Sequence, residues 1–213
     1  MFVQEIWRYP VKSMAGELMK SAQLSSRGIE GDRVVQVRGA RGQVLTSRTY
    51  PQLLGLRASI GDQGVPLVDG RPWNDAHVLE AVRAAAGPEA VLVHDEGLDR
   101  FDILPLLVAT DGAISAFGRD RRRLRPNIVI GGVDGLDERT WPSSQLMVGD
   151  AVIGVHDLRG RCIMTTFDPD TLEHDPKVLR DIVKRFGGKL ALNCDVVNGG
   201  VIEVGQEVMI RRA

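Results

Sequence analysis

Short apolar and β-branched runs recur along most of the chain and are separated by glycine-containing turns such as residues 38–42 and 198–200. The clearest runs occupy residues 2–7, 34–37, 106–109, 128–130, 146–155 and 201–210. Short strands with turn residues at close intervals are typical of barrels and sandwiches. The pattern therefore predicts a barrel-like sheet rather than a doubly wound one.

Three segments carry helix signals instead. Asp75 can cap a helix over residues 76–86, and Thr110 or Asp111 can cap a short one that reaches about residue 118. Asp175, with Pro176 at the first helical position, opens the third, in which Val178, Leu179, Ile182, Val183 and Phe186 share one face. The fold class predicted is therefore mainly β with a few helices (α+β).

Only one segment has the composition of a boundary between domains. Residues 61–66 combine two glycines, a proline and polar residues. They predict a small N-terminal β-barrel portion over residues 1–60 and a larger domain over residues 61–213, together one compact unit.

Composition excludes several classes of function. The 213 residues carry a formal net charge of −1, so no global field attracts nucleic acid or an anionic membrane. No apolar run reaches transmembrane length, and the N-terminus lacks the regions of a signal peptide. Two cysteines in a chain of this length do not make a disulfide framework. We therefore expect a cytoplasmic protein with reduced thiols.

The segment over residues 160–171 holds the most reactive chemistry of the chain. Arg161 stands directly before Cys162, and a guanidinium beside a thiol favours the thiolate, which attacks carbon or sulfur and binds soft metals. Thr165 and Thr166 can donate to an anion near that sulfur. The alternative is a buried strand cysteine followed by a turn. The dense polar surroundings favour Cys162 as the reactive centre.

Four motifs in order resemble the MOSC domain family, named for the C-terminal domain of molybdenum cofactor sulfurase. Residues 161–171 match its signature of Arg-Cys followed by two threonines and Asp-Pro-Asp-Thr. Upstream, residues 9–13 (Tyr-Pro-Val-Lys-Ser), 31–33 (Gly-Asp-Arg) and 125–127 (Arg-Pro-Asn) match further motifs. The resemblance spans residues 5 to 210.

The resemblance implies a MOSC-type β-barrel that binds a molybdenum-pterin (molybdopterin) cofactor, with Cys162 as both metal ligand and catalytic residue. It also implies that the cofactor's phosphate and pterin are held by a set of cationic and polar side chains: Lys12, Ser13, Arg33, Thr110, Arg125, Asn127, Thr165 and Thr166. Each has an ordinary structural alternative. Arg33 can pair with Asp32, and Arg125 with Asp120 or Asp134.

Three other residues stay open. Asp168, our second catalytic candidate, can orient an arginine or steer protons, or can simply form an Asx turn. His156 invites a Cys–His nucleophile, although a structural strand histidine is commoner. Cys194 is typical of a small core residue. Arg159 stands where many relatives of the family have a cysteine, so no second thiol is expected beside the metal.

The resemblance to amidoxime-reducing MOSC proteins predicts a molybdenum-dependent oxidoreductase that reduces small N-hydroxylated or N-oxide-type molecules. No glycine-rich nucleotide fingerprint and no ferredoxin-like cysteine set occur, so a separate electron-donor protein is required. Two alternatives remain: a sulfur carrier bearing a persulfide on Cys162, and a non-catalytic domain whose basic pocket holds another anion.

Overall fold

The computed structural model describes residues 1–97 and 100–212. Within these ranges the chain forms the following strands and helices: β1 (Phe2–Arg8), β2 (Glu17–Met19), β3 (Ser21–Ser25), β4 (Gly28–Ile29), β5 (Val35–Arg38), β6 (Ala58–Ile60), β7 (Pro66–Val68), β8 (Arg71–Pro72), α1 (Ala76–Ala86), β9 (Val91–His94), β10 (Leu106–Thr110), α2 (Asp111–Phe117), β11 (Ile128–Gly131), β12 (Gln145–Val148), β13 (Ala151–Gly160), α3 (Pro176–Phe186), β14 (Lys189–Asn198), β15 (Gly200–Glu203) and β16 (Met209–Arg211). The prediction of a mainly β, α+β chain is confirmed.

An eight-stranded sheet forms the centre of the molecule, in the order β16-β12-β13-β14-β10-β11-β1-β2. Adjacent strands in this sheet run antiparallel, except that β10 and β11 are parallel. These two strands are joined through α2 and a 3-10 turn at Arg121–Leu124. A parallel pair needs such a crossover because its second strand must start at the same end as the first. The crossover therefore brings the Arg-Pro-Asn motif to the start of β11.

The first strand also forms hydrogen bonds with the segment that precedes β16, the strand at the opposite edge of the sheet. The Val3 amide donates to Gln206 O at 2.9 Å, and the Val208 amide donates to Met1 O at 3.0 Å. These bonds draw β1 towards the segment before β16, as a barrel requires. Full closure of the barrel stays a prediction.

A second apolar cluster lies in the N-terminal half. It packs Val11 and Leu53 together with Val68, Val78 and Val82, which come from both sides of the proposed boundary. Residues 61–65 form the turn between β6 and β7, which are hydrogen-bonded antiparallel. The division of the chain near residue 61 stays a prediction.

The three helices begin where their caps predict. Asp75, Thr110 and Asp175 accept hydrogen bonds from the amides of His77, Ala113 and Lys177, respectively. On the apolar face of α3, Val178, Ile182 and Phe186 are buried, whereas Val183 is 57% exposed. No helix in the described ranges is long and apolar enough to span a bilayer.

Thr110 was predicted to contact a cofactor, but the structure gives its hydroxyl a structural use. The side chain is buried, and it donates to Glu138 Oε2 at 2.8 Å while accepting from the Ala113 amide at 3.2 Å. Glu138 Oε1 accepts from the Ala191 amide at 3.0 Å, and burial raises the pKa of the Glu138 carboxyl. Thr110 thus links the start of α2 to β14 through a buried carboxyl.

We predict that Thr110→Val lowers the free energy of unfolding by about 2–4 kcal/mol, because a helix cap and a donor to a buried carboxyl are both lost. Chemical denaturation measures the change. The control is Thr49→Val, at an exposed position, which should change stability by less than about 0.5 kcal/mol. Equal stability of the two variants would contradict the structural role.

Candidate functional site

A cavity of about 330 Å³ lies between the N-terminal segment, the crossover and the end of β13. The structure brings a large part of the predicted site to its walls: Lys12, Ser13, Arg33, Arg125, Asn127 and Cys162. Thr110, Thr165, Thr166 and Asp168 are not among the lining residues. The three upstream motifs and the cysteine motif therefore converge in space, although they are far apart in sequence.

Three of the lining residues have left-handed backbone conformations without being glycine. Ser13, Arg33 and Arg125 have φ values of 74°, 56° and 56°. Such conformations cost roughly 1–3 kcal/mol each, and they persist where the surrounding structure imposes them. Arg125 closes the 3-10 turn at Arg121–Leu124 in this conformation, and Pro126 follows it at once. Three strained backbone positions thus lie at the wall of the cavity, two of them at arginines.

Cys162 lies at the end of β13, half-buried, and its side chain reaches the cavity. Its carbonyl accepts from the Thr165 amide at 3.1 Å and from Thr165 Oγ1 at 2.9 Å. Thr166 Oγ1 donates to Ile163 O at 2.6 Å. Both hydroxyl donors, which were predicted to serve an anion, are instead engaged within the turn that holds the cysteine.

Asp168 shows both of the roles proposed from the sequence. Its Oδ1 accepts from the amides of Asp170 and Thr171, both at 3.0 Å, which makes an Asx turn. Its Oδ2 lies 2.8 Å from Arg123 Nη2. Hydrogen bonds from the Thr171 and Asp170 amides, and then the Arg123 charge, lower the pKa of Asp168. The carboxylate thus acts on the cavity through Arg123, which lines it.

Asn127 and Arg33 meet at a buried carboxylate. Arg33 forms an ion pair with Asp32, as the alternative predicted, and Asn127 Nδ2 donates to Asp32 Oδ2 at 3.3 Å. Asn127 Oδ1 accepts from the Leu107 amide at 3.1 Å. The amide of Asn127 is therefore largely engaged with the protein, and its contact with a pterin stays a prediction.

Asp102 gathers three cations on another wall of the cavity. Its carboxylate lies 2.9 Å from Lys12 Nζ, 2.7 Å from Arg48 Nη2 and 3.5 Å from Arg159 Nη2. Burial raises the pKa of Asp102, but the charges of Lys12, Arg48 and Arg159 outweigh burial and hold it below its usual range. Lys12 Nζ also donates to Arg100 O at 2.7 Å.

Arg125 and Arg161 are half-buried cations without a carboxylate partner among the described residues. Arg125 lies 4.3 Å from the centroid of the Tyr9 ring and pairs with neither Asp120 nor Asp134. Arg161 Nη2 donates to Leu124 O at 2.7 Å, while its Nε is buried with no protein partner in the described ranges. Burial lowers the pKa of each guanidinium to about 10.

The electrostatic result is a cavity with an excess of positive charge beside a thiol. Its cationic lining consists of Lys12, Arg33, Arg48, Arg123, Arg125, Arg159 and Arg161. Asp102 is the only carboxylate that lines it in the part of the chain that the structure describes. Such a lining suits a multiply charged anion, and it places Cys162 beside several cations.

Two domain families match the chain one after the other and together cover residues 1–209. The MOSC N-terminal beta barrel domain matches residues 1–114, and the MOSC domain matches residues 114–209. The chain belongs to the MOSC family. Both halves of the cavity thus come from matched regions of this MOSC protein, because Lys12 and Arg33 lie in the first and Arg125 and Cys162 in the second.

Individual relatives of this MOSC protein are distant. The chain is 27% identical to mitochondrial amidoxime reducing component 2 of Macaca fascicularis, over 86% of this chain and 72% of the relative. It is 23% identical to human mitochondrial amidoxime-reducing component 1, over 79% of this chain and 67% of the relative. The crystal structure of the YUAD protein from Bacillus subtilis is 14% identical, with a TM-score of 0.56, covering 100% of this chain and 96% of that one, which supports the fold.

Sequence reasoning did not select Arg48, Asp102 or Arg123 as site residues. Arg123 lies in the basic run at residues 119–123, and such a run without interleaved aromatic residues is more typical of a solvated helix end than of a binding site. Nothing near Arg48 or Asp102 in the sequence marks either residue. His156 is exposed on β13 and does not line the cavity. Its Nε2 lies 3.2 Å from Asp195 Oδ1. Cys194 is fully buried, as predicted, and burial raises the pKa of its thiol.

We predict that Asp102→Asn destabilises the MOSC protein by about 1–2 kcal/mol at neutral pH, because three cations lose their shared counter-ion on a partly exposed wall. The lowered pKa fixes the pH dependence. The stabilisation is present above the unfolded carboxyl pKa of about 4 and is lost as pH falls through the folded value.

Chemical denaturation from pH 3 to pH 7 measures the difference between wild type and variant. The control is Asp62→Asn, an exposed carboxylate outside the cavity. A difference for Asp102→Asn that is equally large at both ends of the pH range would contradict the assignment.

Proposed function

We propose that this chain is a molybdenum-cofactor-dependent reductase of N-hydroxylated or N-oxide-type small molecules. The observation that carries the proposal is the position of the Cys162 thiol at the wall of a cavity. The described charged side chains that line this cavity are all cationic except Asp102. The names of the curated relatives, which are amidoxime-reducing components, support the reaction class.

The residues of the cavity fit a molybdenum-pterin cofactor. Such a group carries a phosphate, which needs several cations and hydrogen-bond donors, and a metal, which needs an anionic soft ligand. Arg161 Nε is a buried donor with no protein acceptor in the described ranges, and Arg125 is a half-buried charge without a counter-ion there. We assign the phosphate to the arginines and Lys12, and the metal to the Cys162 thiolate.

The net reaction breaks the N–O bond of the substrate. An amidoxime takes up two electrons and two protons and gives an amidine and water. The bound cofactor supplies the two-electron and oxygen-accepting chemistry. The electrons come from a separate electron-donor protein of the iron–sulfur or haem type, and the protons come from solvent. We place this chemistry in the cytoplasm, where free thiols such as Cys162 and Cys194 stay reduced.

The chain's own residues perform three tasks in this proposal. Arg161, next in sequence, and Arg159 line the cavity together with Cys162 and supply positive charge on its wall. The turn closed by Thr165 fixes the position of that cysteine. Leu124 and Met164 line the same cavity and limit the access of water, which strengthens the electrostatic interactions inside.

The direct test is elemental analysis and pterin fluorescence of protein made in a molybdenum-replete host. We predict equimolar molybdenum and pterin, and a Cys162→Ser variant whose turnover per bound molybdenum collapses, because a serine hydroxyl is barely ionised at neutral pH. Visible or paramagnetic spectra of the metal should change in parallel.

Cys194→Ser is the matched control. Cys194 is buried in the core, so a poorly paired hydroxyl there should lower stability by about 1–3 kcal/mol and leave the metal spectrum unchanged. Metal-free folded protein with a persulfide on Cys162 would favour the sulfur carrier instead. Folded protein with neither would favour a binding domain.

A second prediction concerns Arg125. We expect Arg125→Gln to lower cofactor occupancy severalfold without lowering the thermal transition of the cofactor-free protein, since a partly desolvated charge that forms no ion pair among the described residues does not stabilise the fold. Arg119→Gln, which removes an exposed arginine outside the cavity, is the control. Unfolding of cofactor-free Arg125→Gln, with normal occupancy in the folded fraction, would show that the residue is structural.

A further inference from the structure

A second cavity of about 220 Å³ adjoins the first. The two share Arg123, Arg125 and Met164 as lining residues, whereas Cys162 lines only the first. Met164 follows Cys162 by two residues, so their Cα atoms are at most about 7 Å apart. Methionine is flexible and adapts to its neighbours. A ligand in the second cavity can therefore contact a movable side chain that lies two residues from Cys162 and is shared with the first cavity.

The walls of the second cavity suit a flat ring. Trp7 and Tyr9 line it with their own rings nearly parallel, at an interplanar angle of 15° and a centroid separation of 6.4 Å. Phe167, Pro169 and Leu54 add apolar surface. Pockets that bind small planar molecules combine such aromatic walls with a few convergent polar groups. The volume matches a ligand of one or two rings.

The charged side chains that line this cavity in the described part of the chain are all arginines, and two of them are already neutralised. Arg122 forms a two-bond contact with Asp170, at 2.8 Å and 2.6 Å. Arg123 pairs with Asp168 at 2.8 Å. Arg57 and Arg125 have no ion pair among the described residues, and no acidic side chain described there lines the cavity. Arg125 is already assigned to the cofactor in the first cavity, so Arg57 is the cation that remains for a ligand of the second cavity.

Arg57 and Arg125 differ in position. Arg125 lines both cavities, whereas Arg57 is exposed and lines only the second. The end of such a ligand that contacts Arg57 should therefore carry negative charge, and the end that faces the shared wall of Arg125 and Met164 should carry the reacting group.

We propose that the second cavity is the substrate subsite and that it selects planar aromatic N-hydroxylated compounds with a carboxylate at the end remote from the N–O group. The N–O end lies towards Arg125 and Met164, the ring lies against Trp7 and Tyr9, and the carboxylate contacts Arg57. This proposal rests on the proposed function for the reaction, whereas the ligand class rests on the walls of the cavity alone.

The first test measures binding to the full-length protein by calorimetry, before any turnover. The probes are 4-carboxybenzamidoxime, benzamidoxime and the cyclohexane analogue of benzamidoxime. The carboxylated aromatic compound should bind most tightly and the cyclohexane analogue most weakly. Ala15→Leu, which places a larger side chain in this cavity, should weaken both aromatic probes.

The carboxylate contact is tested by Arg57→Gln, with Arg71→Gln as the matched control. Both arginines are exposed and flank the same small sheet, but Arg71 does not line the cavity. Arg57→Gln should weaken the carboxylated probe about two- to fivefold, as expected for a solvent-exposed ion pair, and leave benzamidoxime unchanged. Arg71→Gln should change neither.

The same variants are then tested in turnover by the molybdenum-loaded protein. Arg57→Gln should raise KM for the carboxylated probe by the same factor with kcat unchanged. Equal binding of the three probes, or equal effects of Arg57→Gln and Arg71→Gln, would overturn the subsite. Loaded protein that binds the probes in the expected order but reduces none of them would overturn the proposed reaction and leave the aromatic carboxylate site in place.

Discussion

The buried carboxylate of Asp32 is the constraint on which the cavity depends. It is fully buried, and it accepts from the Tyr9 amide at 2.7 Å, from Asn127 Nδ2 at 3.3 Å and from the Arg33 guanidinium. A buried charge is tolerated only when such partners surround it, because loss of one partner leaves an uncompensated charge. The three partners come from three distant segments. One carboxylate therefore fixes the start of β11, the end of β1 and the arginine of the second motif relative to one another.

The walls of the cavity carry features that lower the stability of the fold when no ligand is bound. Ser13, Arg33 and Arg125 hold left-handed backbone conformations, and the half-buried guanidinium groups of Arg125 and Arg161 have no carboxylate partner in the described ranges. Such strain and uncompensated charge persist only because the surrounding core is stable. An anion in the cavity relieves the charge, so its binding free energy also stabilises the fold. The features that lower stability without a ligand are those that favour binding one.

The parts of the structure that could be predicted from the sequence are those set by local chemistry. The helix caps at Asp75 and Asp175 and the glycine turns act within a few residues, and Cys162 was selected because Arg161 stands beside it. Local chemistry also explains the hydroxyls that lie away from the cavity, since a threonine satisfies the nearest backbone group first, as Thr165 does. The position of Asp102 could not be predicted, because periodicity does not report which loops meet.

The two aspartates that follow Cys162 in the cysteine motif form ion pairs with arginines at the edge of the cationic cavity. Asp168 and Asp170 bind Arg123 and Arg122, respectively, in the turn that ends at Arg125. These pairs neutralise two arginines and hold the turn against the cysteine loop. Arg125, the next position that carries a charge, receives no such partner in the described part of the chain and faces both cavities instead. The two motifs therefore act as one unit, in which the aspartates determine which arginine stays available to a ligand.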